Sequence, residues 1–535
     1  MITNSGTRCS ELYAPADEVL HAQAGHGGRA TDRPAISATA PDAFARSRVQ
    51  LERIVDWLGG ADADGLEHSE LECRLESDGR ELVRLLLQDH LDLRACREQR
   101  LDGVCDEQEV KRRAVESDHR RALQSVFGEV SVARLAYRQR GEQNRYVADG
   151  VLNLPEERAS HGVRRLAAVE CAAGSFEHAT GQIRERTGVE LGKRQVEELA
   201  VRAAVDFDGF YAERTIVADQ QPPGEEEILV LSADGKGIVM RADALRQATA
   251  RAAQRASPKL KTRLSRGEKA NRKRIAEIGA VYDITAAPRS ASDVLAPTAE
   301  KTTPAPRARR KWLCASVIQD AASVIAQIFD QAERRDPDHE RTWVALVDGN
   351  THQIQRIAAE AKQRKITVAV VIDLVHVLEY LWSAAWCFYC EGDPAAEQWV
   401  HQKALAVLDG KSGIVAASIR RKATKLKLPP EKRKNADRTA GYLLNKKLYL
   451  DYPTALQNGW PIATGIIEGA CRHLVKDRMD ITGARWGLKG AEAILKLRAL
   501  ISNGDLDAYW DYHLAHERHR NHDLRYANNV IPRAA

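Results

Sequence analysis

The chain lacks any apolar stretch of membrane-spanning length, and its first residues lack the apolar centre of a signal peptide. No membrane association is therefore expected, and an intracellular protein is. A disulfide framework is missing too. The nine cysteines (Cys9, Cys73, Cys96, Cys105, Cys171, Cys314, Cys387, Cys390 and Cys471) are odd in number and irregularly spaced, which reads as reduced thiols in the cytosol. Cys387-Phe388-Tyr389-Cys390 has no second pair to complete a zinc site and reads as core packing in an aromatic helical stretch. Nor does one sign of charge dominate. Charged residues make up 29% of the chain but the net charge is only +5, so bulk charge announces no partner and local patches must. At 535 residues the chain is too long for one hydrophobic core, and three or four domains are expected.

What is present divides the chain. Residues 1–45 are rich in Gly, Ala, Pro and Ser without periodicity and read as a disordered tail. Residues 46–126 carry apolar side chains at helical spacing (Leu82, Leu85, Leu86, Leu87, Leu91) and read as a helical region. Residues 127–215 open with the alternating run Phe127 to Tyr137, the mark of a hairpin strand, and continue as short helices. Within them Ser175 is a fitting N-cap, Thr187-Gly188 a break, and Gly192-Lys193-Arg194-Gln195 the start of another helix. A Gly-containing turn before a helix with Lys193, Arg194 and Gln195 at its exposed start is helix-turn-helix organisation, suited to DNA; an ordinary helical hairpin is the alternative.

From residue 226 strands alternate with helices. Strands are expected at 227–233, 276–284, 312–318, 343–347 and 366–372, with helices at 321–334 and 352–364. A basic excursion (243–274) and a Pro-rich loop (285–310) interrupt this part, 226–373. Residues 374–460 read as a helical insertion, 461–515 as a core helix region, and 516–535 as a basic tail. Three strands, helix, strand, helix, strand, helix is the order of a ribonuclease H-like fold. The fold class is thus multidomain α+β: a ribonuclease H-like α/β catalytic core with a helical insertion, preceded by a mainly helical DNA-binding region.

Acidic residues stand where that order would use them. Asp234 ends the apolar run Ile228 to Ala233, Asp348 ends Trp343 to Val347, and Glu468 opens a helix rich in Arg, His and Lys. Carboxylates at the C-terminal tips of buried strands lie at the rim of a sheet, where ligands bind. With a third from a nearby helix they could hold a pair of Mg²⁺ ions. A Gly-flanked Asp after a strand is also a common turn residue, and a Glu at a helix start also suits the helix dipole. Asp373 ends a further strand and is followed at i+3 by His376. The pair reads either as an N-cap with a packing His or as support for the metal site, and Asp373 is an alternative second metal ligand.

Basic residues supply the substrate argument. Lys261, Arg263, Arg266, Lys269, Arg272, Lys273 and Arg274 lie in a run holding one acid, and a second run spans residues 420–434. Lys236, Arg472, Lys476 and Arg485 flank the acidic residues themselves. Such runs are often plain solvated faces; beside a carboxylate site they fit nucleic-acid phosphates.

Taken together, Ala233-Asp234-Gly235-Lys236-Gly237, the segment Lys259 to Lys269, Val281-Tyr282-Asp283, Val347-Asp348-Gly349, Asp373 to Trp382 and Gly465 to Met479 resemble the blocks of bacterial insertion-sequence DDE transposases of the ISKra type, distantly Mutator-like. The resemblance covers roughly residues 85–515. It implies a catalytic triad Asp234, Asp348 and Glu468, with Asp373 and His376 matching an acid-x-x-His element that follows the second catalytic Asp. It further implies two Mg²⁺ ions (Mn²⁺ can substitute), double-stranded DNA as element ends and target, at least a homodimer on DNA, and a bacterial cytoplasmic, nucleoid-associated location.

Overall fold

A computed structural model describes residues 43–214, 227–257, 259–260, 262–265, 268, 270–297, 303–481 and 483–533. Most of the expected N-terminal tail lies outside the described residues. The chain is α+β throughout. It opens with helices α1 (Ala45–Leu58), α2 (Ala61–Asp64) and α3 (His68–Arg97). A carboxylate capping pair starts α3, where the Glu67 N–H donates to Glu70 Oε2 at 2.9 Å. Strands β1 (Ala114–Ser125) and β2 (Gly128–Arg138) then form an antiparallel hairpin. The helical reading of 46–126 therefore stops at Arg97. β1 is charge-rich because much of its surface faces solvent, which hid its strand character behind helix-compatible residues. Leu91 of α3 packs with Leu123, Val130 and Val132 of the hairpin and with Leu154 in a small separate core.

Next come α4 (Val147–Val151), α5 (His161–Ala173), α6 (Phe176–Thr187), α7 (Lys193–Ala203) and α8 (Phe207–Glu213). Ser175 caps α6 through its side chain, which accepts from the His178 N–H at 3.0 Å, and Gly188 closes the helix in the left-handed conformation. The turn between α6 and α7 thus falls where the sequence puts it. These helices are not a detached module. Val163, Ala167, Ile183, Val196 and Phe210 belong to the same continuous core as the sheet that follows.

That sheet consists of β3 (Glu227–Val239), β4 (Lys273–Thr285), β5 (Arg309–Ser316), β6 (Thr342–Val347) and β7 (Val368–Ile372). Its spatial order is β5-β4-β3-β6-β7. β3, β4 and β5 are antiparallel neighbours, and β6 and β7 run parallel to β3. Helix α9 (Gln247–Arg255) lies in the β3–β4 excursion and α10 (Ala291–Leu295) in the β4–β5 connection. Helices α11 (Ala321–Arg335) and α12 (Thr351–Arg364) join the parallel strands; Ile328 of α11 fills the space over Gly279 of β4. β3 does not stop at Ala233 as the apolar run suggested. It continues through Asp234-Gly235-Lys236-Gly237, which pair with β4 residue by residue, so Asp234 is a strand residue and not a turn residue.

The helical insertion comprises α13 (Leu374–Ala385), α14 (Pro394–Leu408), α15 (Ser412–Lys425), α16 (Pro430–Asn445) and α17 (Tyr452–Gln457). It shares the main core through Val377, Leu381, Ala404, Ala440 and Leu443. Cys387 packs against that core, but Cys390 is exposed, so only half of the pair is packing. Then α18 (Gly465–Ala470) runs through a π-helical turn at Cys471–Lys476 into α19 (Asp477–Met479), and α20 (Leu488–Asn503) and α21 (Leu506–Asn521) end the helical part. Residues 516–533 are not a free basic tail. They complete α21, and Tyr526 and Ile531 are buried with Val104, Tyr137 and Val147 in a third core. Among the described residues no helix is long and apolar enough to cross a membrane.

At the end of β3 remote from Asp234, the fully buried Asp283 accepts from Arg310 at 2.7 Å, Arg335 at 3.2 Å and Arg341 at 2.7 Å. Removing the acid leaves guanidinium groups crowded in a nearly dry place. Asp283→Ala is expected to cost about 3–5 kcal/mol in a denaturant titration, the range for breaking a buried ion pair. A loss below about 1 kcal/mol, the level of a surface pair, would show that the network is solvated and unimportant.

Candidate active site

The parallel pairings carry a constant offset. Ile228 faces Thr342 and Ser232 faces Leu346, so β3 and β6 differ by 342 − 228 = 114 residues. Trp343 faces Val368 and Val347 faces Ile372, so β6 and β7 differ by 368 − 343 = 25. Continued past the last paired residues, the same offsets align Asp234 with Asp348 and Asp348 with Asp373. The Asp373 N–H indeed donates to the Val347 carbonyl at 2.8 Å, extending that ladder. Three aspartates therefore form one row across three adjacent parallel strands, within β3 and just past the ends of β6 and β7, with neighbouring strands about 4.8 Å apart.

Each carboxylate in the row is fixed locally. Asp234 Oδ1 accepts from the Gly235 N–H at 2.7 Å, and its Oδ2 accepts from the Cys471 thiol at 3.1 Å. Asp348 Oδ1 accepts from the Asn350 N–H at 2.7 Å. Asp373 caps α13, its Oδ1 accepting from the Val375 N–H at 2.7 Å, and is fully buried. The turn after Asp348 requires Gly349: its φ is +90°, and a Cβ there would come within 2.7 Å of the Tyr442 hydroxyl. That hydroxyl donates to the Asp348 carbonyl at 3.3 Å.

Glu468 arrives from above the sheet. Thr464, at the N-cap of α18, hydrogen-bonds through its hydroxyl to both Asp373 Oδ2 and Glu468 Oε1. Ligand atoms of Asp373, His376 and Glu468 all lie within 4.8 Å of one another, the group of three among the described residues close enough to share an ion. His376 also contacts Glu379 at 3.1 Å through Nδ1. Cys471, three residues after Glu468 and at the start of the π turn, holds Asp234. One helix thus touches both ends of the row. Loss of water around the Glu468 carboxyl and the charge of Asp373 push its pKa up to about 6. Burial, followed by the charge of Asp234, pushes the Cys471 thiol far up, so it stays a donor. Glu277 of β4 is raised by burial and by Asp234.

The structure therefore groups Asp373 and His376 directly with Glu468, reaches Asp234 through Cys471, and aligns Asp348 in the row without joining it to that cluster. Thr464 and Cys471 were missed by the sequence reading. Their spacing from Glu468, four before and three after on one helical face, was the available signal. The basic residues fall out unevenly. Arg263, Arg272, Arg472, Lys476 and Arg485 are exposed and Lys236 is partly so, whereas Lys261, Arg266 and Lys269 lie outside the described residues. Lys273 reaches Asp480 at 3.5 Å. Arg274 is half-buried, and its guanidinium donates to the Val317 and Ala244 carbonyls. At the start of α7, Lys193 pairs with Glu177, Arg194 with Glu198, and the Gln195 side chain accepts from the Gly192 N–H. The pairs of Lys193 and Arg194 are solvent-exposed, so each is worth under about 1 kcal/mol and both cations can be drawn to a stronger anion.

Residues 62–251 match the model of a family described as Uncharacterised protein family (UPF0236). The chain is similar to that family from the N-terminal helices through Asp234 to α9; Asp348, Asp373 and Glu468 lie beyond the match. No curated protein matches the chain.

A proton on Glu468 competes with any cation. With a carboxyl that titrates near 6, divalent-ion affinity should rise as pH increases through about 6 and level off above it. Calorimetric titration with Mg²⁺ or Mn²⁺ between acidic and neutral pH checks this, and an affinity independent of pH would remove Glu468 from the ligand set.

Proposed function

We propose that the chain is a DDE-type DNA transposase of the ISKra kind, built on a ribonuclease H-like core, that cuts DNA at the ends of an insertion sequence and joins them to target DNA. The observation that carries this reading is the row Asp234, Asp348 and Asp373 on adjacent parallel strands, with Glu468 brought over it by a helix. The strand order, three antiparallel and two parallel, supports the core assignment. The donors are hard carboxylate oxygens, a set that suits Mg²⁺ or Mn²⁺.

Asp234, Asp348 and Glu468 would hold the two ions, which supply Lewis-acid polarisation of the scissile phosphate and the attacking oxygen when bound. Asp348 suits a ligand role because only its Oδ1 is engaged, by a backbone N–H. Asp373 is buried with both oxygens occupied, which suits it to orient Glu468 through Thr464; it remains the alternative second ligand. Cys471 holds the Asp234 carboxylate in one rotamer. His376 offers an imidazole beside Glu468 to the scissile phosphate. Lys236, Arg472, Lys476 and Arg485 neutralise the DNA backbone on either side, and α6–α7 engage the element end. A 3′-OH freed by the first cut then attacks target DNA in the same site, without a covalent protein intermediate. Both ends must be held at once, so the working form is at least a dimer on DNA, in a bacterial cytoplasm.

Labelled element ends, Mg²⁺ and a supercoiled target test this. Asp234→Asn and Glu468→Gln should each abolish cleavage while leaving end binding intact. Asp348→Ala should match that loss, and Asp373→Ala should leave measurable cleavage at raised metal concentration. Cutting by either of the first two variants would refute the triad. Cutting without joined product in the wild type would make the protein a structure-selective nuclease, and binding without cutting an inactive DNA-binding derivative.

A further inference from the structure

Helix α16 ends beside the aspartate row, where Tyr442 reaches Asp348. Lys434, Arg438 and Tyr442 recur along it at i+4 and lie within about 80° of one another around its axis, and Lys446 caps its C-terminal end. Lys434 and Arg438, two turns and one turn before Tyr442, are exposed. The Arg438 guanidinium lies 5.4 Å over the ring of Tyr380, which stacks on Tyr442 with centroids 4.0 Å apart and planes 16° apart. At the lower end the Tyr442 hydroxyl donates to the Asp348 carbonyl, and Lys446 Nζ donates to Thr351 Oγ1 at 2.7 Å, at the head of α12 just after the row. A cation–cation–aromatic–cation stripe therefore ends on Asp348. From Lys434 to Lys446 it spans about 18 Å, the axial length of about five nucleotides of one strand.

We propose that this face of α16 carries a single DNA strand to the aspartate row, its phosphates passing along Lys434 and Arg438 before reaching Asp348. The chemistry of the partner follows from the stripe. Cations at regular spacing beside an aromatic pair are what a strand without its complement meets in a binding channel. A duplex, presenting two backbones, would overhang a track one helix face wide. The other cations of the insertion do not all take part: Arg433 is turned to Asp437 at 2.8 Å, and exposed Lys432 stands roughly opposite Lys434 around the helix. The inference rests on the transposase reading only for what happens at the row; the track itself is a binding claim.

The test is fluorescence anisotropy of full-length protein with a labelled single-stranded oligodeoxynucleotide and the matching blunt duplex, without divalent metal and across a salt series. Lys434→Glu/Arg438→Glu should weaken single-strand binding by about tenfold or more and lower the salt slope by about 1.4, two contacts at about 0.7 each. Lys432→Glu should leave both within about twofold, and Arg438→Lys should retain most of the affinity. Unchanged binding by the double variant overturns the track, as does an equal loss in Lys432→Glu or an equal loss on blunt duplex. Because binding is read without metal, a protein that proves unable to cut DNA still supports or refutes the track on its own. Conversely, normal binding by the double variant would leave the cleavage assignment standing.

Discussion

Mutual repulsion of carboxylates governs the site. Two unit charges 4.8 Å apart, the bound within which ligand atoms of Asp373, His376 and Glu468 lie, repel by about 3 kcal/mol at the effective permittivity near a protein surface. Among the described residues no arginine or lysine pairs with these carboxylates. The repulsion is met by neutral donors: the Gly235, Asn350 and Val375 N–H groups, the Cys471 thiol and the Thr464 hydroxyl. Neutral donors fix where each oxygen points but leave its charge uncancelled. Burial and the remaining imbalance push the Glu468 carboxyl up to about 6; once that proton leaves, the charge is available to a cation.

The opposite end of the same sheet shows the contrast. There Asp283 and Glu227 are neutralised by Arg310 and Arg341, with Arg335 also on Asp283. One strand, β3, thus begins among acids that are paired and reaches an acid that is not. A sheet stabilised by ion pairs at both ends would have no site. This asymmetry is a physical reason to look for chemistry at the carboxyl ends of the strands, independent of any resemblance.

Much of this was legible in the sequence. The apolar runs ending in Asp348 and Asp373 placed both strand ends, and Ser175 and Gly188 bounded α6. The extension of β3 through Asp234 was not, because Gly235 and Gly237 read as turn formers. In the fold they lie under Ile275, Glu277 and Lys273 of β4, where a Cβ at either would come within about 3 Å of a neighbour's side chain. β1 was hidden by its charged, solvent-facing side chains. The preference for Asp348 over Asp373 comes from the strand order and the resemblance; what the sequence does not carry is which oxygens are already hydrogen-bonded. That depends on Thr464, ninety-one residues from Asp373 in the chain. Local pattern finds the strand; only tertiary packing finds the hydroxyl.

The same packing ties the basic helices to the carboxylate helix. Arg478, two residues beyond the π segment, is buried with its guanidinium 4.7 Å from the Trp486 ring and 5.4 Å from that of Phe176 in α6. It also donates to the Cys171 carbonyl of α5 at 2.9 Å. Trp486 in turn is hydrogen-bonded to the end of β3, its N–H donating to Val239 and its carbonyl accepting from Arg241. The first helix of the α6–α7 pair, the helix that presents Glu468 and Cys471, and the strand that presents Asp234 therefore meet at one buried cation. Through that contact the position of α6 and that of the Glu468 helix are fixed together. Because Cys471 and Thr464 flank Glu468 on that helix, its placement sets both ends of the aspartate row at once.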